Sequence, residues 1–277
     1  MSSSRDPDRP WTWSWFTWLP GEGITLAWIV LIHVTSIVGL VLYPWPGLTI
    51  ALAAYALYFL GGLGTTVAYH RALAHKALHL HPAVECLLVA FAIFNGSGTP
   101  ATWSANHRNH HANADTVRDI SSPRIGGFWW SHLRWLWQAS CSPVDRWAPD
   151  LNTPYWRFWT RAQVPILALS FFGGLLISPA AFFWLGAIRL TVSLHAQCFV
   201  NSLAHMKKGV APGEDSSQNL ASLGLIHSFQ GENWHQNHHA EPNSARLGRG
   251  WAQIDLGWVL IVTLEKLGLA TKVRRPN

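Results

Sequence analysis

The sequence predicts an all-α integral membrane protein: four transmembrane helices in two hairpins, with a cytoplasmic helical cap that carries clustered histidines. Three observations predict it. Hydrophobic residues make up 49% of the 277-residue chain and charged residues 12%, about half the charged share of an ordinary soluble domain. Four stretches are long and apolar enough to cross a bilayer core, which takes about 20 residues. The lysines and arginines avoid one side of those stretches altogether.

Residues 1–23 read as a cytoplasmic tail. It starts polar and turns aromatic at Trp11, Trp13, Trp15 and Trp18, the composition of an interfacial anchor. It lacks the basic start, short apolar core and small-residue cleavage site of a signal peptide. The expected spans are residues 24–43, 48–69, 163–182 and 183–202. Pro44-Trp45-Pro46-Gly47 joins the first two, and a break near Ser178-Pro179 joins the last two, so each pair reads as a hairpin. Between the hairpins, residues 83–94 are apolar but too short to span, which suits a buried or interfacial helix. Residues 128–137 (FWWSHLRWLW) alternate aromatic and polar side chains, as expected of a helix lying on the lipid surface.

Of 20 Lys and Arg, two are in the tail, nine lie between Tyr69 and Arg161, eight follow Leu203, and Arg189 is inside the fourth span. Neither short turn has any. The positive-inside rule then makes the tail, the central segment and the C-terminal segment cytoplasmic. This distribution accounts for the net charge of +6 and excludes nucleic-acid binding. Cys86, Cys141 and Cys198 form no C-x-x-C pair, so neither a disulfide framework nor a cysteine-bound metal is expected. The whole of 1–277 reads as one domain.

Nine of the 15 histidines fall into four groups: His70-Arg-Ala-Leu-Ala-His75, His107-Arg-Asn-His110-His111, Asn201-Ser-Leu-Ala-His205 and His235-Gln-Asn-His238-His239. On a helix, positions i, i+3 and i+4 share one face, so each H-x-x-H-H group projects three imidazoles in one direction. His70 and His75 are about 140° apart round a continuous α-helix. Either the helix ends between them or they serve two metals. Nine imidazoles exceed the needs of one ion, so two metals are implied, and neutral imidazole suits iron, copper, zinc or nickel. No Asp or Glu lies within a group, unlike the Glu-x-x-His pairs of soluble di-iron bundles. His33, His79, His81, His132, His195 and His227 read as ordinary packing or surface residues.

The order H-x4-H, H-R-x-H-H, N-x3-H, H-x2-H-H resembles the membrane fatty acid desaturases, in particular the stearoyl-CoA desaturase group. Asp115-Thr116, Gly127-Phe-Trp-Trp-Ser-His132, Gly231-Glu-Asn-Trp-His235 and Ile254-Asp-Leu-Gly-Trp258 are similar to the same group. The resemblance covers about residues 48–275. It implies a di-iron centre held by His70, His75, His107, His110, His111, His205, His235, His238 and His239, with Asn201 reaching a metal through water. It further implies O2-dependent desaturation of a long-chain fatty acyl thioester, acyl-CoA or acyl carrier protein. Around the acyl chain it places Trp103 at the tunnel bend, Tyr58 at its far end and Gly62 beside Tyr58.

Some positions depart from the family pattern. Ser97 and Gln197 stand where the family has a glutamine and a threonine, a polar pair with its members exchanged. Ala105 and Asn106 replace an arginine and an aspartate near the CoA head group, which makes a lipid ester a further option. Asp119-Ile120-Ser121 departs from the usual Asp-Pro-His. A separate electron donor (a ferredoxin, a rubredoxin or a cytochrome b5-like protein) is expected to dock on the basic face. The expected location is a membrane, with a bacterial inner membrane favoured and the site on the cytoplasmic side. The same oxidant could instead hydroxylate, decarboxylate or form an acetylenic bond. A metal-transporting membrane protein is the reading from another class, and it is disfavoured because the clusters lie at or beyond the span ends.

Overall fold

Two prolines and a glycine turn the chain between its first two long helices, α1 (Gly23–Leu42) and α2 (Leu48–Ala74). Proline cannot continue α1, and Gly47 takes the left-handed φ of 88° from which α2 starts. The structure is a computed structural model that describes residue 6 and residues 9–276; the first residues of the expected tail lie outside them. α1, α2 and α7 (Pro179–Leu203) are long and apolar enough to cross a membrane. Ser178 starts α7, its hydroxyl accepting from Ala181 N at 3.1 Å, with Pro179 in the first turn.

The expected third span is not among these three. Helix α6 runs over Pro154–Phe172 rather than residues 163–182, and a 3-10 turn (Gly173–Leu176) follows it. Hydropathy locates the apolar half only. The backbone turns helical earlier, at Pro154, and carries Arg157 and Arg161 in its polar half.

Helices α3 (Pro82–Phe94) and α4 (Pro100–Asn113) pack on the histidine-bearing end of α2. Thr99 caps α4, accepting from Thr102 N at 3.2 Å. At Gly64 a Cβ would lie 2.3 Å from the Leu88 carbonyl oxygen, so glycine is what lets α2 and α3 touch backbone to backbone. The core here is made by Val67, Tyr69, Val89, Ile93 and Ala105, with Ile261 of α9 (Leu256–Lys266). A two-stranded ladder, β1 (His79–Leu80) against β2 (Ala270–Thr271), ties the C-terminal segment to the same end.

Two buried arginines hold these elements. Arg71 on α2 pairs with Asp255 at 2.9 Å and donates to the carbonyls of Ala245 and Gln230. Arg189 on α7 donates to Asn95 Oδ1 at 3.0 Å, to the Leu185 carbonyl and to Ser170 Oγ. Its guanidinium lies over Phe94, at the C-terminal end of α3, where the helix dipole favours positive charge.

Residues 128–138 form helix α5, part of it π-bonded. Trp129 is exposed, but Trp130, His132, Leu133 and Trp137 are buried. The N-terminal tail closes over it: Trp137 Nε1 donates to the Trp15 carbonyl at 3.0 Å and Gln138 Nε2 to the Ser14 carbonyl at 2.7 Å. The segment expected to lie on lipid is therefore packed between the tail and α7. Its alternating letters hid a helical face, because side chains three and four apart share a side whatever lies between them.

Candidate metal centre

α2 delivers His70 and, one residue past its end, His75. α4 delivers His107, His110 and His111, the C-terminal turn after α7 delivers His205, and α8 (His235–Ala240) delivers His235, His238 and His239. All nine come together, in two sets. One holds His70, His75, His107, His111 and His238, the other His110, His205, His235 and His239. Within each set the ligand nitrogens lie within 4.8 Å of one another.

The H-x-x-H-H groups are both helical, and each is shared between the sets. The pair at i and i+4 serves one set (His107 with His111, His235 with His239) and the residue at i+3 serves the other (His110, His238). Positions i+3 and i+4 lie about 100° apart on a helix, which lets one helix face two neighbouring metals. His70 and His75 serve the same set, as expected if the helix ends between them. It ends at Ala74, and its last turns are widened, with π-type bonding over Gly64–Ala74 and His75 N donating to the His70 carbonyl at 3.1 Å. Bonding from i to i+5 brings those two positions together, and such segments are frequent at functional sites.

Four carboxylates orient the rings. The Nδ1 of His70 donates to Glu232 at 2.9 Å, that of His110 to Asp119 at 2.9 Å, that of His205 to Asp115 at 3.1 Å and that of His239 to Asp215 at 2.9 Å. A proton held on Nδ1 leaves Nε2 with a bare lone pair. His110 Nε2 is then 3.1 Å from His205 Nε2 and 3.4 Å from His239 Nε2. Three such lone pairs facing one another repel unless a cation lies among them, so the donor set fits a metal. Carboxylate–histidine pairs of this kind fix ligands in metal sites generally.

The electrostatics agree. Burial, then the neighbouring histidines, hold His75, His107, His111, His235 and His238 well below the usual imidazole range. Burial pushes His239 down to about 4 against the pull of Asp215. At His110 burial is outweighed by the Asp119 carboxylate, which raises it. Burial works against ionisation of Asp115, Asp119, Asp215 and Glu232, yet their histidine partners keep all four below the usual carboxylate range. Sequence reasoning missed these four acids as a group. The available signals were Asp115 and Asp119, spaced i and i+4 just after His111, and Glu232 three residues before His235. Asp119 holds His110 although the residues after it depart from the family pattern.

The residues expected along an acyl tunnel are placed unevenly. Trp103 stacks on His107 at 4.8 Å between ring centroids and 18° between planes, and also touches Tyr69 and His70. The Tyr58 hydroxyl donates to the Ile226 carbonyl. Gly62 faces Gln230, whose Oε1 would lie 2.2 Å from an added Cβ. Ser97 bonds Thr65 at 2.7 Å, while Gln197 donates to Ser193 of its own helix. Among the described residues no hydrogen bond joins Ser97 to Gln197. Asn201 is half-buried on α7, one turn before His205.

Three histidines read as ordinary packing residues form a chain instead. His33 of α1 bonds His195 of α7 at 3.0 Å, and His195 bonds His132 of α5 at 2.8 Å. His132 in turn bonds Ser202 at 3.0 Å. With Ser36 and Thr191 at 2.8 Å, they make a polar seam between α1 and α7, the kind of interhelical bonding that holds membrane helices together.

Comparison with known proteins places this arrangement. Residues 46–258 match the family described as fatty acid desaturase. The chain is 35% identical over 253 residues to Delta-9 acyl-lipid desaturase 2 of Arabidopsis thaliana, covering 89% of this chain and 80% of that one. It is 35% identical over 257 residues to Acyl-CoA 5-desaturase AL21 of Anemone leveillei, covering 89% and 77%. It is 29% identical over 270 residues to sn-2 palmitoyl-lipid 9-desaturase of Nostoc sp., covering 91% and 92%. The two plant relatives do not support the expected placement in a bacterial inner membrane.

Proposed function

Because the chain belongs to the fatty acid desaturase family, we propose that it inserts a double bond into a fatty acyl chain, using O2 and two irons. It is an oxidoreductase. The observation that carries the reading is the division of nine imidazoles into sets of five and four. His70, His75, His107, His111 and His238 would hold one iron, and His110, His205, His235 and His239 the other. The second set is one ligand short of the first, and Asn201, one turn before His205, would complete it through water.

When bound, the irons would supply the redox chemistry that reduces O2 to two waters with two electrons from a separate donor, two protons from solvent and two hydrogens from adjacent methylenes of the substrate. An unactivated C–H bond offers no proton that a side chain could abstract, so the chain's own residues position rather than react. Trp103, stacked on His107, shapes the bend beside the metals. Ser97 and Gln197 line the same region, and Tyr58 with Gly62 sets the far end. The carboxylates keep His70, His110, His205 and His239 in the tautomer that binds metal. The apolar helices form the membrane-embedded part, with α6 as the fourth span and the basic, histidine-bearing side in the cytoplasm.

The substrate is a fatty acyl thioester or, as a second reading, an acyl chain esterified in a membrane lipid. One observation favours the second. Ala105 is buried in the core, and Asn106 is occupied in accepting from Ser142 N at 2.8 Å, so neither offers a charge to a CoA phosphate.

Expression in a bacterium, followed by fatty acid profiling with double-bond localisation, tests the function. Purified protein would then be offered acyl-CoA, acyl carrier protein and phospholipid substrates side by side. New monounsaturated chains are expected. Hydroxylated or acetylenic products would replace desaturation with one of its chemical relatives. An unchanged profile from iron-loaded protein with a competent donor would overturn the reading.

A further inference from the structure

The segment after His205 returns to the side of α2. Tyr58 donates to the Ile226 carbonyl, and Gln230 Nε2 donates to the Phe59 carbonyl at 2.7 Å. Tyr58 is ten residues into a 27-residue helix, about 15 Å from its start at 1.5 Å per residue, while a bilayer core is about 30 Å thick. A partner bonded to Tyr58 therefore sits at hydrocarbon depth, not at the aqueous surface.

The segment is built for that depth. Non-helical backbone survives in a membrane only if its polar groups are satisfied within the protein, and here they are used. His227 N donates to the Leu223 carbonyl at 2.9 Å, Phe229 N to the Gly224 carbonyl at 2.6 Å and Gln230 N to the His227 carbonyl at 3.1 Å. The Phe229 carbonyl accepts from Leu256 N at 2.8 Å, and the Gln230 carbonyl from Arg71 at 2.8 Å. Ser228 and Phe229 take left-handed φ values of 48° and 56°, the local strain of a tight reversal. Leu223, His227, Ser228 and Gln230 are buried, while the apolar tip of the segment stays uncovered. Leu225 is 74% exposed, and Ile226, Ile254 and Val259 are exposed beside it. Trp251, 97% exposed and two residues after Arg249, has the position of an interfacial anchor.

We propose that residues 222–230, with the adjoining rim at Ile254 and Val259, dip into the bilayer leaflet on the histidine side and contact lipid acyl chains. The metal-bearing cap is then seated in the membrane by a second, re-entrant attachment besides the spans. This rests on the proposed membrane-spanning role of α1 and α2.

The test uses the full wild-type chain in phosphatidylcholine vesicles doped with a phosphatidylcholine that carries a diazirine on its acyl chain. After photolysis and proteolysis, lipid adducts are located by mass spectrometry. The peptide covering 222–230 should be labelled as strongly as that around Val34 on α1. Its yield should clearly exceed that of the peptide around Val117, an exposed position beside Arg118. Labelling at Val34 with only Val117-level labelling at 222–230 would overturn the re-entrant attachment and leave the spans standing. Failure to label Val34 would overturn the span assignment itself, and this proposal with it.

Discussion

His70 and His75 sit five residues apart with ring centroids 5.1 Å from each other, in one ligand set, because His75 N bonds the His70 carbonyl. A regular α-helix would separate the two by about 140°. The widened turn is thus what makes a five-imidazole set possible, and it sets the expected metal content. Purified protein should hold two irons per chain, one for each set. His238→Ala and His110→Ala should each remove one ligand from a different set, lower the iron content and abolish turnover. Metal analysis with product assay checks this; stoichiometric zinc in active protein would contradict it.

Glu232 offers a finer test, because it touches His70 and not the metal position. Its carboxylate accepts from His70 Nδ1 at 2.9 Å and from the Thr66 hydroxyl. Glu232→Gln keeps the size of the side chain but weakens control of the tautomer. Changes of this type cost about 10–100-fold in metal affinity or activity. A chelator competition should show faster iron loss from the variant, with the fold and membrane insertion unchanged.

Chain length should respond to α2. Replacing Tyr58 by alanine removes the ring and its bond to the Ile226 carbonyl, which should deepen the tunnel and admit longer chains. Each added methylene is worth about 0.8 kcal/mol when buried, so a two-carbon step should change preference roughly tenfold. Gly62 to a bulky residue should shorten the preferred chain, and the route is now visible: the new side chain must displace Gln230, whose Oε1 occupies the Cβ direction. Competition among even-numbered saturated substrates measures both. An identical length profile in wild type and both variants, with iron retained, would remove Tyr58 and Gly62 from the tunnel.

Electron supply should be sensitive to salt. With a separate donor docking on a basic face, association is electrostatically steered. Turnover at limiting donor should fall as ionic strength rises, and saturating donor should restore it. Turnover with O2 and NAD(P)H alone, in the absence of any carrier, would contradict this.

The sequence by itself determined which nine histidines meet, the apolar extent of α1, α2 and α7, and which side of the chain is basic. These properties are local. Hydropathy along a run, helical phase within a group and charge counts between runs need no knowledge of neighbours. The tertiary structure alone decided how the nine imidazoles divide, because the division depends on how α4 and α8 face each other across the site. It also decided the four carboxylates that hold them: Asp215 reaches His239, and Glu232 reaches His70 from 162 residues away. The polar seam of His33, His195 and His132, the start of α6 at Pro154 and the return of residues 222–230 to Tyr58 have the same origin. Each is a contact between distant segments whose cost and benefit appear only once the helices pack, and no period in the sequence encodes it.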